Sequence, residues 1–148
     1  MSKVLAQFDL VKPKFPKDDE RMHGFYASTG YVNRLAEKHP GFIWRETLED
    51  QLLLDELWGE GHLYTLSLWR DVESLKDFIY RTPHKEFMKR GHEWFDSISR
   101  PRGVMWWVPE GHIPSLHEAH ERLTLLFEIG PSYEAFDLRS SEFPVALY

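Results

Sequence analysis

"GVMWWVP", Gly103 to Pro109, is the stretch on which the fold turns. Its β-branched and aromatic residues between a glycine and a proline read as a strand. Successive side chains of a strand point to opposite faces, and here both sets are apolar: Val104, Trp106 and Val108 on one side, Met105 and Trp107 on the other. A strand of this kind needs cover on both faces.

Working outward, three further stretches have the same character: "VLAQFDL" (Val4 to Leu10), "FIWRET" (Phe42 to Thr47) and "LYTLSLW" (Leu63 to Trp69). The first stops at a segment containing Pro13 and Pro16. The second and third are separated by an acidic connection in which "WGEG", Trp58 to Gly61, marks the turn. Between the strands lie helical patterns. From Asp19 to Lys38, Met22, Phe25, Tyr26, Thr29, Val32, Leu35 and Ala36 recur at helical spacing, and "HPG" at His39 to Gly41 ends the run. After the third strand, Val72, Leu75, Phe78 and Ile79 open a long helix that Thr82-Pro83 interrupts. Proline lacks an N–H but suits the first helical position, so Thr82 reads as the cap of a second piece reaching about Ile98, with a kink rather than an end between the two. "SLHE" (Ser115 to Glu118) has the capping-box form and starts a last helix through Leu116, Ala119, Leu123, Leu126 and Phe127 to Gly130-Pro131. A short final strand near Ala135 to Leu138 follows.

The order β-α-β-β-α-β is the ferredoxin-like plan, an α+β fold whose antiparallel sheet carries its helices on one face, here with an extra C-terminal helix. That plan leaves the other face bare. Two sheets packed face to face would cover it and satisfy both sides of "GVMWWVP", so the expectation is a single domain over residues 1–148 that forms a homodimer, a dimeric α/β barrel.

Composition narrows the partners. The 148 residues carry 18 Lys and Arg against 24 Asp and Glu, a formal charge of −6 with no basic block, which argues against nucleic acid. Absence of cysteine excludes disulfides, thiolate metal sites and cysteine nucleophiles. "MSKVLAQFDL" has neither an h-region nor a cleavage site, and no apolar run is long enough to cross a membrane, so a cytoplasmic protein with no membrane partner is expected. Aromatic residues make up 15% of the chain, pointing to a core built around large rings.

Candidate chemistry centres on "YRTPHKEFMKRGHEWF", Tyr80 to Phe95. Ignoring the kink, Tyr80, His84, Phe87, Gly91, Trp94 and Ile98 fall within an arc of roughly 80°. His84 would sit in a first helical turn, where the dipole disfavours imidazolium and leaves a neutral acceptor, base or ligand, with Tyr80 as its partner. The plainer alternative is that His84 bonds a backbone carbonyl and fixes the kink. Gly91 leaves either close packing or room for something bound. Trp44, Trp69 and Trp106, on strands, are the expected lining of a pocket shared with Phe87, Gly91 and Trp94, although core filling explains each singly. Arg45, beside Trp44, could offer a charge to an acidic substrate or be a solvated strand-edge residue. "HEAH" (His117 to His120) spaces its histidines three apart where the metalloprotease motif needs four, so no metal site is expected there. No nucleophile elbow, phosphate loop or dinucleotide fingerprint is present.

From Leu66 onward the chain resembles the domain-of-unknown-function family 3291, grouped with the dimeric α/β-barrel proteins. The segments that carry this are "LSLWRDVESLKDFIYRTPHKEFMKRGHEWF" (Leu66 to Phe95), "WWVPEGHIPSLHEAHERL" (Trp106 to Leu123) and "GPSYEAF" (Gly130 to Phe136). The family is usually arginine-rich just before the Trp-Phe pair, where Gly91 and His92 stand here. The resemblance implies a fold and a dimer but no activity, since the wider superfamily includes cofactor-independent monooxygenases, haem-degrading enzymes, polyketide cyclases and stress proteins. Three functions are therefore expected in order: binding of a small hydrophobic or aromatic molecule between sheet and helices; a monooxygenase-like or cyclase-like enzyme with His84 as base; and haem binding with His84 as axial ligand. The first two call for no cofactor.

Overall fold

The computed structural model describes residues 2–48, 50–96 and 102–140. Four strands, β1 (Lys3–Val11), β2 (Phe42–Arg45), β3 (Leu63–Trp69) and β4 (Gly103–Pro109), form one sheet in the order β2-β3-β1-β4. Every pairing is antiparallel. Among the described residues six helices accompany them: α1 (His23–Glu37), α2 (Gln51–Trp58), α3 (Val72–Arg81), α4 (His84–Lys89), α5 (Gly91–Trp94) and α6 (Leu116–Ile129).

Strand register sorts the core into two layers. Ala6 lies between Leu68 and Trp106, and Leu5 lies between Trp69 and Trp107. On the first face, Val4, Ala6, Phe8, Leu10, Leu66, Leu68, Val104, Trp106 and Val108 pack under Leu54 of α2 and Leu116, Ala119, Leu123 and Leu126 of α6. On the second, Leu5, Trp69 and Met105 pack under Ala36 of α1 and Val72, Leu75, Phe78 and Ile79 of α3, with Phe136 alongside.

Helices thus cover both faces, which corrects the expectation of a bare face. The acidic connection after β2 is itself a helix. Asp50 caps it by accepting from the Leu53 N–H at 3.1 Å, and "QLLLDELW" then turns Leu54 fully inward, with Leu53, Leu57 and Trp58 packed at its margin. Each buried leucine in α2 and α6 contributes about 1.5–3 kcal/mol of transfer free energy, so the second side of "GVMWWVP" is closed within one chain. A second sheet is not needed to cover it.

The Thr82-Pro83 step is also sharper than a kink. The residue before proline avoids the helical region, and Thr82 adopts φ −116°, ψ 171°, which ends α3 outright. Its hydroxyl bridges the break, donating to the Phe78 carbonyl and accepting from the His84 N–H. The second piece breaks again at Arg90 and stops at Trp94; Ile98 lies outside the described residues. Where a final strand was expected, Phe136 makes one two-bond bridge with Met105, at 2.7 and 3.0 Å, and the chain then turns into a 3-10 segment at Leu138–Ser140.

Candidate functional site

On the face under α1 and α3, an apolar level formed by Phe42, Trp69, Leu5 and Trp107 gives way to polar ones. Arg45, Ser67 and Gln7 lie side by side across β2, β3 and β1, and the next level holds Thr65, Asp9 and Gly103. The polar groups are wired in one direction. Trp69 Nε1 donates to Ser67 Oγ at 2.9 Å, Ser67 donates to Gln7 Oε1 at 2.6 Å, and Gln7 Nε2 donates to Asp9 Oδ2 at 2.7 Å. An indole can only donate, so the serine proton is directed to the amide oxygen, and the amide must turn its NH2 toward the carboxylate. Because Gln7, Ser67 and Trp69 are all buried, these bonds have no water to replace them.

Asp9 ends the relay. Opposite it stands Gly103, where a Cβ would lie 2.2 Å from Asp9 Oδ1, so the absence of a side chain makes space for the carboxylate. Asp9 and Thr65 occupy the two inner strands, yet the side chains of both reach the surface among the described residues. Protein surrounding the carboxyl on its other sides raises its pKa from the usual carboxylate range to about 6; Arg102 and the Gln7 amide partly oppose that rise. At neutral pH Asp9 is a carboxylate with Oδ2 hydrogen-bonded and Oδ1 free of hydrogen bonds among the described residues.

Arg45 closes the other end of the polar level. Its side chain is 29% exposed, its Nε is buried with no hydrogen-bond partner, and Glu37 Oε2 of α1 stands 3.7 Å away, beyond hydrogen-bond distance. Cover above this strip thins along α1. Ala36 near the helix C-terminus is buried, whereas Thr29 and Phe25 are only half-buried.

The residues singled out in the sequence do not converge on one pocket. His84 is half-buried, with its ring 4.8 Å from Phe78 and Nδ1 turned to the Ile79 carbonyl at 3.4 Å, which leaves Nε2 for any ligand. Burial pushes its pKa down and keeps the imidazole neutral. Tyr80 is 48% exposed on the outer side of α3, and no hydrogen bond or ring contact joins it to His84. Phe87 meets Tyr31 of α1, Gly91 opens α5 onto free space, and Trp94 packs on Phe25 beneath the Arg90 guanidinium. Trp44 and Trp106 lie on the α2/α6 face, Trp106 donating to Glu118 Oε2 at 2.7 Å, whereas Trp69 lies on the opposite face at the head of the relay.

Gln7, Asp9 and Ser67 were missed. Their signal was present as polar residues two apart inside otherwise apolar inner strands, Leu5-Gln7-Asp9 and Thr65-Ser67-Trp69. Another pair, His39 and Asp77, is a structural pin. His39 Nε2 meets Asp77 Oδ2 at 2.7 Å while Nδ1 accepts from the Gly41 N–H, so both ring nitrogens are committed to joining the β2 entry to α3. Among the described residues no three His, Asp or Glu side chains come together as a metal site, and no helix is long and apolar enough to cross a membrane.

A four-stranded antiparallel α+β domain with a hydrogen-bond relay opening on one sheet face defines the class. The chain belongs to the family described as Domain of unknown function (DUF3291), which matches residues 4–146 and so extends well beyond the C-terminal segments that first suggested it. Its structure is similar to a protein of unknown function from Nitrosomonas europaea, at 16% identity and a TM-score of 0.51 over 76% of this chain and 96% of that one, a likeness of fold. MupZ from Pseudomonas fluorescens aligns at 13% identity and a TM-score of 0.45, over 85% of this chain and 81% of its own. No curated protein matches the chain.

Proposed function

We propose that the protein binds a small molecule with a hydrophobic or aromatic body on the sheet face that carries Asp9, Gln7, Thr65 and Arg45, within a ferredoxin-like framework. The observation that carries this reading is the one-way relay from buried Trp69 to solvent-accessible Asp9. Buried polar groups cost stability unless satisfied, and a network that ends on an accessible, pKa-shifted carboxylate is the kind of arrangement found at binding and catalytic sites. The strand order β2-β3-β1-β4 supports the framework.

The test is a thermal-shift screen of small aromatic and polar compounds, followed by calorimetry with Asp9→Asn. A ligand at 100 times its dissociation constant stabilises the fold by about 2.7 kcal/mol, a readily measured shift. Stabilisation that Asp9→Asn abolishes supports the site; a binder indifferent to Asp9, Gln7 and Arg45 places it elsewhere.

A further inference from the structure

We propose that the ligand is a planar carboxylic acid bearing a hydroxyl group, its carboxylate held by Arg45 and its hydroxyl donating to Asp9. This assignment rests on the reading of the Asp9 level as the binding site and says what that site selects. Asp9 presents Oδ1, an acceptor without a donor among the described residues, above the side-chain-free Gly103. Only a hydrogen-bond donor completes it, and a second anion placed there would be repelled. Arg45 makes the opposite demand. It is always charged, it is half-buried, and it makes no hydrogen bond within the described chain, so its planar fork is left to a carboxylate.

The strand register sets the separation. Arg45 is two strands from β1 and one side-chain level from Asp9. Strand spacing and rise put the two Cα atoms about 12 Å apart. Arg45 Nε is turned to Glu37 of α1, so most of that separation remains between its guanidinium and Asp9, a span that one ring carrying a carboxylate and a hydroxyl matches in length. Along that span Ser67 is closed by its bonds to Trp69 and Gln7, whereas Thr65 is exposed and adds a hydroxyl beside Asp9.

Glu37 gives the proposal an unusual handle. Its carboxylate, 3.7 Å from Arg45, competes with an incoming anion for the same cation. Removing its charge should therefore tighten binding of the acid, an effect that a purely structural role for Arg45 would not produce.

The experiment is calorimetric titration of the full chain with 4-hydroxybenzoate, 3-hydroxybenzoate and 4-hydroxycinnamate, with phenol and benzoate as half-ligands. At least one hydroxy acid is expected to bind. For that acid, Arg45→Gln should weaken binding tenfold or more, Arg45→Lys less, and Glu37→Gln should strengthen it severalfold; phenol should ignore all three. Asp9→Asn should weaken the hydroxy acid and phenol but not benzoate. Circular dichroism on each variant excludes loss of fold as the cause. If phenol or another uncharged compound binds through Asp9 while no acid does, or if Arg45 and Glu37 substitutions leave acid affinity unchanged, the acid assignment is overturned and the Asp9 site stands. If neither these probes nor the screened compounds bind, both readings fall.

Discussion

Gln7 donates to Asp9 across one side-chain level of a single strand, at 2.7 Å, and the direction of that bond is imposed by Trp69 on the neighbouring strand. A glutamine amide can present either end. Here a buried indole donor, acting through Ser67, leaves only one orientation that satisfies every group. Asp9 is therefore held as an acceptor by a residue it does not touch.

Removing the middle of this chain tests the wiring. Ser67→Ala leaves the buried Trp69 N–H and Gln7 carbonyl without partners, so a loss of about 1–3 kcal/mol is expected in urea denaturation. Thr65→Ala, at an exposed position touching Gln7 only at 3.3 Å, should fall within about 0.5 kcal/mol of the parent.

The pH dependence of stability follows from Asp9. Its folded pKa of about 6 exceeds the unfolded value of about 3.9, so between these values the native state binds more protons than the unfolded state and stability falls as pH rises. Asp9→Asn should remove that decline. The parent-minus-variant difference should change between about pH 4 and 6 and be flat above that window. His84 acts with the opposite sign, because burial lowers its pKa and makes the native state bind fewer protons, so its contribution is lost as pH falls below about 6.5. Denaturation of His84→Gln and Asp9→Asn over the same pH series separates the two; a flat Asp9 difference from pH 4 to 7 would show an unshifted carboxyl.

Gly103→Ala should destabilise by about 1–3 kcal/mol, because the new methyl would meet Asp9 Oδ1 at 2.2 Å and force the side chain to move. In an Asp9→Ala background the same change should cost markedly less. A double-mutant cycle measures the coupling directly, and additive effects would remove the claimed contact.

Closure of the second sheet face within the chain predicts a contrast inside α2. Leu54, fully buried, should cost about 2–5 kcal/mol on truncation to alanine, while Leu52, 81% exposed two residues away, should cost under about 0.5 kcal/mol. If Leu52→Ala proves as costly in chemical denaturation, or dissociates an oligomer in light scattering, α2 has a partner on its outer side.

Much of the architecture was legible because it is local. "LYTLSLW" was bounded to the residue, the first helix to within its capping turn, and the serine cap of α6 is as "SLHE" implied, with Ser115 Oγ accepting from the Glu118 N–H. Parity separated Trp106 from Trp107 for the same reason. The acidic segment was misread because five charged residues in "LEDQLLLDELWGE" outweighed the spacing of Leu53, Leu54, Leu57 and Trp58, and without that helix, or the seat of α6 beside it, a covered face read as a bare one.

The residues around His84 show where local reading stops. Helical spacing put Tyr80, His84, Phe87, Gly91 and Trp94 on one arc, but the break at Thr82 and a second at Arg90 turn each piece about its own axis, and the arc dissolves. By itself, then, the sequence determined strands, caps and an α+β order, each set by chemistry a few residues long. Tertiary structure alone decided which strands are neighbours, and with that which polar side chains share a level. Gln7, Asp9, Ser67, Trp69 and Arg45 are scattered over 63 positions of the chain and become one polar strip, hydrogen-bonded from Trp69 to Asp9, only because β3 lies between β2 and β1. A relay of this kind depends on register across the sheet, and no one-dimensional period records it.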